Sequence, residues 1–437
     1  MNSLTWLNRN SSLIHRPLRL KVRKLNPRAA QSTTFHVIVQ FKNKLSAARI
    51  RALRKRLGNS PLPVTHRLHV LDSIASRVTM TGLRRMCGCK EVRCVYLDGI
   101  KKLSLNVVTP SIGSTAVQRQ KRLTGKGINV AFIDTGLYPH PDLTHPTNRI
   151  VAFKDLIGRR KRPYDDNGHG THVAGDIAGN GWSSRGKYRG PAPNAGIIAV
   201  KAFNRSGDAY DSTIIKALEW CIRNRRRLNL RILSLSFGGP LFSQCSEDPL
   251  CQAIEKAVKA GIVVVVAAGN AGPRRRTIES PGNAPSAITV GAVDDRGNLS
   301  QAGDLITYYS SRGPTSGGRI KPDLVAPGER VISLRAPGSK QDRKFPNLRV
   351  GRRYFVMSGT SVSAPIVAGA AAQLLQKNPS LTPKQVKAIL KRNAFRLGLK
   401  PNTGGSGEID MRFLLGRKRK HKRPYKRPAR SPNRMNI

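Results

Sequence analysis

Acidic residues are scarce in this sequence. Only 24 Asp and Glu stand against 78 Lys and Arg in 437 residues, a formal charge of +54. Residues 1–71 contain no acid at all. Such a balance excludes an ordinary mixed surface and implies anionic neighbours, or solvent that tolerates self-repulsion. Long apolar runs are also missing. The longest, residues 261–269, falls well short of the roughly 18–20 residues of a membrane span and has the length of a buried strand. The basic first 30 residues hold no continuous apolar stretch, so no secretory signal is expected and the cytoplasm is the expected location. Cysteine is sparse too. Six in a chain of this length make no disulfide framework, which agrees with a reducing compartment. What the chain does have is 39% hydrophobic residues, enough for a large core.

Composition divides the chain into four parts. Residues 1–34 form a basic arm; blocks of like charge are usually solvated, so a loose arm is expected rather than a docked one. Residues 35–108 read as a small α+β unit, with strands at 35–41, 64–70 and 92–97 and helical stretches between them. So few residues make a marginal core, and this unit should lean on something larger. Residues 109–410 change pattern. Short apolar runs at 128–133, 197–203, 232–237, 262–268 and 287–290 alternate with helical segments at 211–224 and 249–260. Asp248 can cap the second of these, Pro249 suits its first position and Gly261 its exit. Apolar strands separated by helices imply an α/β fold: a mostly parallel, doubly wound sheet with helices on both faces. Ligands then bind at the carboxyl ends of the strands. Residues 411–437 end the chain in a Lys-, Arg- and Pro-rich tail, expected to be disordered.

Four islands carry chemistry. In the first, the apolar run 130–133 ends in Asp134, followed by Thr135-Gly136, which delivers a carboxylate to the functional edge of the sheet. Capping of the next turn is the structural alternative. The second is Asp165-Asp166-Asn167-Gly168-His169-Gly170-Thr171-His172, where a helix of small residues begins at His169. His169 and His172 at i, i+3 beside two carboxylates also admit a metal, but no zinc spacing is present. In the third, Ser358-Gly359-Thr360-Ser361 runs into an Ala-rich helix, so Ser361 lies in a first turn where free N–H groups favour negative charge; a simple N-cap is the alternative. In the fourth, the buried run 263–268 ends in Gly269-Asn270, and the Asn270 amide can donate to an oxyanion or simply make a turn. Together they answer one need. Serine is a poor nucleophile at neutral pH, and a neutral imidazole oriented by a carboxylate can take its proton as it attacks.

These islands, in the order Asp, His, Ser, resemble those of the subtilisin-like serine proteases, or subtilases. Within that family the signal-less intracellular alkaline type of bacilli (AprX-type) is the nearest likeness, through residues 165–172, 188–193 and 310–314. The likeness covers about residues 109–393. It implies a subtilisin-like fold and a serine endopeptidase of broad specificity that works through an acyl-enzyme. Asp134, His169 and Ser361 would be the triad, Asn270 the oxyanion donor and His172 a structural histidine. Residues Ser234, Leu235, Ser236, Phe237, Gly238 and Gly239, with Ala268 and Gly269, would bind an extended substrate. Residues 35–108 would be an inhibitory prodomain, the enzyme's own partner, cut away between about 103 and 109. No cofactor is required by the likeness. Asp142 matches one calcium ligand of secreted relatives, but residues 179–185 do not reproduce their calcium loop, which leaves calcium open. Val362 stands where the family usually has Met, and Ser363-Ala364 where it has Ala-Thr.

Three features remain. By the same resemblance, Glu279, two residues before Pro281-Gly282, would sit near the floor of the primary specificity pocket, where a carboxylate would attract Lys or Arg; pairing with Arg274, Arg275 or Arg276 is the bland alternative. The basic arm and tail admit a second function, a nucleic-acid-binding or anionic-surface-tethered protein in which the protease fold is secondary. Cys87, Cys89 and Cys94 are expected as free thiols, and so are Cys245 and Cys251, although those two could bridge under oxidation.

Overall fold

In the computed structural model, which describes residues 5–23, 33–98, 100–102, 111–240, 244–297 and 299–416, the chain forms a small antiparallel sheet followed by a large parallel one. The first sheet contains β1 (Thr34–Phe41), β2 (Val64–Leu68), β3 (Ser73–Thr79) and β4 (Val92–Leu97), in the order β2-β3-β1-β4. Alternation sorts the side chains of β1 onto two faces. Phe35, Val37, Val39 and Phe41 pack with Leu53, Leu57 and Leu83 from the helices Ala47–Leu57 and Met80–Met86. His36, Ile38 and Gln40 face the other way, where Ile38 joins the core of the larger body. The expected dependence on a larger partner is therefore physical: one face of this sheet is covered by its own helices and the other by a foreign surface.

That surface consists of the helices Asp211–Asn224 and Pro249–Lys259. Tyr210 Oη lies 3.0 Å from His36 Nε2, and their rings stack at 4.1 Å. Asp98 accepts from Ser212 N (2.8 Å) and Ser212 Oγ (2.5 Å), so a carboxylate sits at the N-terminus of the first helix, where the dipole favours it. Beyond Asp98, β5 (Ile100–Lys102) pairs antiparallel with β9 (Asp208–Tyr210) of the larger body. The expected cleavage region lies outside the described residues.

The basic arm is not loose over its described part. Two helices, Thr5–Arg9 and Arg16–Arg23, dock on the outer side of the small sheet. Leu7, Ile14, Leu18 and Val22 are buried there, and Ile14 bridges Val95 in parallel fashion. Within Arg16–Arg23, Leu18 and Val22 stand four residues apart on one apolar face that the run of charge obscures. The tail beyond residue 416 lies outside the described residues.

The large sheet adds β6 (Asn129–Asp134), β7 (Ile150–Asp155), β8 (Gly196–Lys201), β10 (Leu230–Leu235), β11 (Val263–Ala267), β12 (Ile288–Asp294), β13 (Leu305–Ile306) and β14 (Leu324–Pro327). Its order is β13-β12-β11-β10-β6-β8-β7, with β14 also on β12, and every pairing is parallel except β12 with β13. Chain order reverses at β6, which makes its carboxyl end a switch point. Both faces of the inner strands are covered, which is why those strands are predominantly apolar, whereas the edge strand β7 is mostly half-buried or exposed. Val130 and Phe132 pack under the helices His169–Ala178 and Thr360–Lys377. Ala131 and Ile133 pack against Asp211–Asn224 and Pro249–Lys259. Asp134 continues the parity of Val130 and Phe132, so it turns toward the first pair of helices.

The cysteine expectation divides. Cys87, Cys89, Cys94 and Cys221 are free thiols, and burial pushes Cys87 up to about 11 and Cys221 up to about 12. Cys245 and Cys251, however, form a disulfide, contrary to the free thiols expected. A short 3₁₀ turn, Cys245–Glu247, folds back on the first turn of Pro249–Lys259 and brings the two Cα atoms to 5.3 Å, within bridging range. Among the described residues no helix is long and apolar enough to cross a membrane.

Candidate active site

The carboxyl edge of the sheet gathers the four islands. Asp134 ends β6 and is fully buried. His169 opens the helix His169–Ala178, and its Nδ1 lies 2.9 and 3.0 Å from the two Asp134 oxygens. Asp134 Oδ1 also accepts the Thr135 N–H at 2.7 Å, which fixes the carboxylate plane. Burial opposes charging of His169, but the charge and hydrogen bond of Asp134 outweigh it, and the pKa is held above the ordinary imidazole value. His169 Nε2 is buried and has no hydrogen-bond partner among the described residues.

The loop before this helix shows why the imidazole stays put. Asp165 Oδ1 accepts from Asn167 N (3.1 Å), Gly168 N (2.8 Å) and Thr135 Oγ1 (2.9 Å). Its Oδ2 accepts from Thr171 N (2.9 Å) and Thr171 Oγ1 (2.7 Å). One carboxylate thus satisfies first-turn donors that the cap residue, Gly168, has no side chain to reach. Thr135 Oγ1 in turn receives the Gly170 N–H at 2.9 Å, joining the Asp134 turn to the His169 turn. Buried Lys201 bonds Asp166 at 2.7 Å and the Phe203 carbonyl at 3.1 Å, at the neighbouring strand end. By sequence alone Asp165 and Asp166 are acids that a metal could use. Their bonds instead serve as caps and tethers, and no metal-holding cluster of three or more His, Cys, Asp or Glu exists among the described residues. His172 Nδ1 lies 2.8 Å from Asp176 and its Nε2 3.3 Å from the Val331 carbonyl, tying this helix to the strand after β14.

Ser361 is the second residue of Thr360–Lys377 and is buried. A Cβ at Gly369 would come within 2.7 Å of the Ile177 carbonyl, so the two helices touch nearly backbone to backbone, eight residues beyond Ser361 and His169 respectively. The helix start is fastened to the end of β11. Asn270 Oδ1 accepts from Thr360 N (3.0 Å) and Thr360 Oγ1 (3.2 Å), while Gly269 N donates to Thr360 Oγ1 at 3.1 Å. With its oxygen so held, the Asn270 amide presents its Nδ2 hydrogens as donors beside the Ser361 turn. Thr360 is the organising residue here, and no local sequence signal marks it out.

Two expected substrate residues are placed otherwise. Ser234 and Leu235 lie inside β10, which is paired on one side with β6 and on the other with β11, so they offer no free edge. Residues 236–239 run beyond the strand. Gly239 exchanges backbone bonds with Ser280 (3.0 and 2.9 Å), and the Ala268 carbonyl accepts from Glu279 N at 3.0 Å. Glu279 Oε1 accepts the Asn270 N–H at 3.3 Å, while the side chains of Arg274, Arg275 and Arg276 are exposed. At Asp142, Oδ1 accepts Ser183 N (2.8 Å) and Oδ2 accepts Tyr354 Oη (2.7 Å). Donors therefore surround this carboxylate, and such a setting does not fit a calcium ion, which needs oxygen ligands.

The subtilase family profile matches residues 125–422 of this chain. The chain belongs to that family. It is 45% identical over 352 residues to serine protease AprX of Bacillus subtilis (strain 168), covering 79% of each protein. It is 36% identical over 288 residues to subtilisin Savinase of Lederbergia lenta, covering 66% of this chain and 90% of that one. The fold is similar to the crystal structure of fervidolysin from Fervidobacterium pennivorans, with a TM-score of 0.69 at 22% identity; the match covers 88% of this chain and 61% of fervidolysin. This subtilase is accordingly a serine-type endopeptidase with a subtilisin-like α/β fold, and the comparisons lend no support to the nucleic-acid-binding alternative.

Proposed function

We propose that Asp134, His169 and Ser361 are the triad of this peptidase. The observation that carries the reading is the buried imidazole, doubly bonded to Asp134 through Nδ1, with Nε2 left available at the end of the molecule where the Ser361 helix begins. Ser361 Oγ attacks the carbonyl carbon of the scissile bond while its proton passes to His169 Nε2. The carbonyl oxygen becomes an anion, held by Asn270 Nδ2 and by the N–H of Ser361 in the first turn of its helix. As the C–N bond breaks, His169 returns the proton to the leaving amine. A water molecule then repeats the cycle on the acyl-enzyme, losing its proton to the same nitrogen. Asp134 fixes the tautomer and stabilises the imidazolium.

The small antiparallel unit is proposed as the inhibitory prodomain, removed by self-cleavage between about residues 103 and 109. Its docking on the helices Asp211–Asn224 and Pro249–Lys259, and the β5–β9 pairing, support this reading because they carry the chain onto the large body just before that region. Two experiments test the proposals. A fluorophosphonate probe labels the wild type and fails on Ser361→Ala; equal labelling of the variant removes Ser361 from the mechanism. N-terminal sequencing of active protein finds a new amino end near residues 103–109; an intact end in an active sample defeats the prodomain assignment.

A further inference from the structure

We propose that a cationic cleft on the sheet edge opposite the triad binds an acidic peptide segment whose carboxylates are interleaved with apolar residues. The cleft has a volume of about 1000 Å³. One wall is the helix Pro383–Asn393, and the other is the loop that follows it, residues 394–407. Val386 and Leu390 turn one face of this helix into the core, while successive turns of another face expose Lys384, Ala388 and Arg392. Lys387, which also lines the cleft, fixes its place. It donates to the carbonyls of Ala287 (2.7 Å) and Pro285 (2.8 Å), just before β12. It also lies 2.9 Å from Asp323, the residue before β14. Both contacts fall at the amino ends of parallel strands, whereas the proposed triad gathers at carboxyl ends. The cleft is therefore separate from the candidate active site.

Asp323 braces both walls. Its carboxylate meets Lys387 and, at 3.3 Å, Lys391 of the helix, and its carbonyl accepts Ser406 N of the loop at 2.9 Å. The loop is closed at its neck, where Phe395 and Glu408 exchange backbone bonds of 2.6 and 2.9 Å. The cleft is thus preformed, which spares a ligand the cost of ordering it. Burial pushes the Asp323 carboxyl up, but Lys321 and Lys387 outweigh it and hold it at about 2. That negative charge is already balanced, since Lys321 lies 2.7 Å away as well. The lining itself carries five cations, Lys384, Lys387, Lys391, Arg392 and Arg396, and no Asp, Glu or aromatic residue is among the described residues that line it. Charge complementarity then calls for an acidic partner. Stacking platforms for nucleic-acid bases are aromatic, and none is here. Between the cations the surface is apolar, from Ala388 on one wall to Leu397, Leu399 and Pro401 on the other. A lone phosphate would leave that surface uncovered, and the volume is at the upper end of the roughly 300–1,000 Å³ of small-ligand pockets. A peptide that alternates acidic and apolar side chains uses both kinds of wall.

The test measures fluorescence anisotropy of a fluorescein-labelled peptide, Asp-Leu-Glu-Asp-Leu-Glu-Asp, on the full chain carrying Ser361→Ala at low ionic strength. The peptide should bind about tenfold or more tightly than its Asn/Gln counterpart. Lys384→Ala, Arg392→Ala and Arg396→Ala together should weaken it about tenfold or more. Arg51→Ala, Lys55→Ala and Lys90→Ala remove the same charge from exposed positions of the small unit, and should change the affinity by less than about twofold. Ala388→Trp fills the cleft at constant charge from an exposed helix position, where folding is little affected, and should also weaken binding about tenfold. Equal losses from the two triple variants, or full affinity in Ala388→Trp, would show attraction to the overall charge and overturn the proposal. Oligothymidylate that binds more tightly than the peptide, with the same response to the variants, would overturn the ligand class. Binding is read without catalysis, so failure of the triad assignment leaves this result unaffected.

Discussion

Asp165 touches no substrate in the proposed mechanism, yet the arrangement gives it a large role. Its two oxygens accept five hydrogen bonds, three from the N–H groups of Asn167, Gly168 and Thr171 and two from threonine hydroxyls. In Asp165→Ala all five donors lose a charged acceptor in a buried site. Hydrogen bonds to a charged group are worth about 1.5–3 kcal/mol each in isolation, but hydroxyls can rotate and water can enter the vacated volume, so a total of about 3–5 kcal/mol is expected rather than the sum. Asp165→Asn is milder but not neutral. It keeps one acceptor, and it turns an NH₂ group either toward Thr171 N–H or toward the N–H groups of Asn167 and Gly168. A loss of about 2 kcal/mol is expected. At about 2–4 °C per kcal/mol for a body of this size, the alanine variant should melt roughly 10 °C lower. The measurement is a calorimetric scan in a Ser361→Ala background, so that self-digestion does not distort the trace. Activity supplies the second readout. Because Asp165 fixes the turn that carries His169, Asp165→Asn in active enzyme should lower kcat with little change in KM, and 1 M salt should not restore it. A melting shift under 2 °C with unchanged kcat would refute the claim that this carboxylate organises the turn.

Three further outcomes follow from the same contacts. Asp98→Ala removes the carboxylate at the N-terminus of Asp211–Asn224, worth about 1–2 kcal/mol, and should make the cleaved prosegment dissociate about 5- to 30-fold faster in size-exclusion time courses; an unchanged rate would mean that the apolar face alone holds it. The raised pKa of His169 predicts that kcat/KM falls on the acid side with a midpoint above the ordinary imidazole value, because the protonated ring cannot accept the Ser361 proton; Asp134→Asn should move that midpoint down along with the rate, as read from pH–rate profiles. Burial pushes the Asp342 carboxyl up, but Arg335, the Gly338 N–H and Arg349 outweigh it and hold it at about 2, so its contribution is complete above pH 4 and is lost as pH falls from about 4 to about 2; Asp342→Asn should flatten that part of a urea-midpoint profile, and an unaltered profile would show the ion pairs to be idle.

Strand composition and helix punctuation make the large sheet legible. The apolar runs fall on β6, β8, β10, β11 and β12 within a few residues, and Asp248, Pro249 and the helix they open stand as expected, with Asp248 accepting from Leu250 N and Cys251 N. Asp134 and His169 are legible because an acid at a strand end and a histidine at a helix start are local features, and the sheet topology does the rest. Asp165, Thr135 and Thr360 are not. Their roles arise from partners on other turns, and nothing in their neighbouring residues distinguishes them from ordinary loop residues. Ser234 and Leu235 show a related limit: a sequence shows where a strand is, not how many neighbours it has. The arm misleads for another reason, because its dense positive charge masks the four-residue spacing of Leu18 and Val22 and the bridging role of Ile14.

The net charge itself takes on a different meaning once burial is known. All 24 acids lie among the described residues, and 13 of them are buried. Burying a carboxylate is tolerated most easily where donors surround it, and many of these acids are found there: Asp134 at an imidazole, Asp165 and Asp98 at helix starts, Asp142 facing an N–H and a phenol, Asp323 on Lys321 and Lys387, Asp342 between Arg335 and Arg349. Asp304 and Glu408 are exceptions, buried with oxygens that no donor reaches among the described residues, and burial raises both carboxyls. Few basic side chains are drawn inside with them; Lys201 and Lys321 are the cations fully enclosed among the described residues. Acids have thus been retained where the fold needs an acceptor, and the exterior is left to Lys and Arg. Among the described residues the positive excess therefore lies outside the core and says nothing against an ordinary interior. Replacing a buried acid that donors surround, such as Asp165 or Asp342, should therefore be far more damaging than adding several new acids outside, because the former removes an acceptor from a filled donor set and the latter only dilutes a repulsive field.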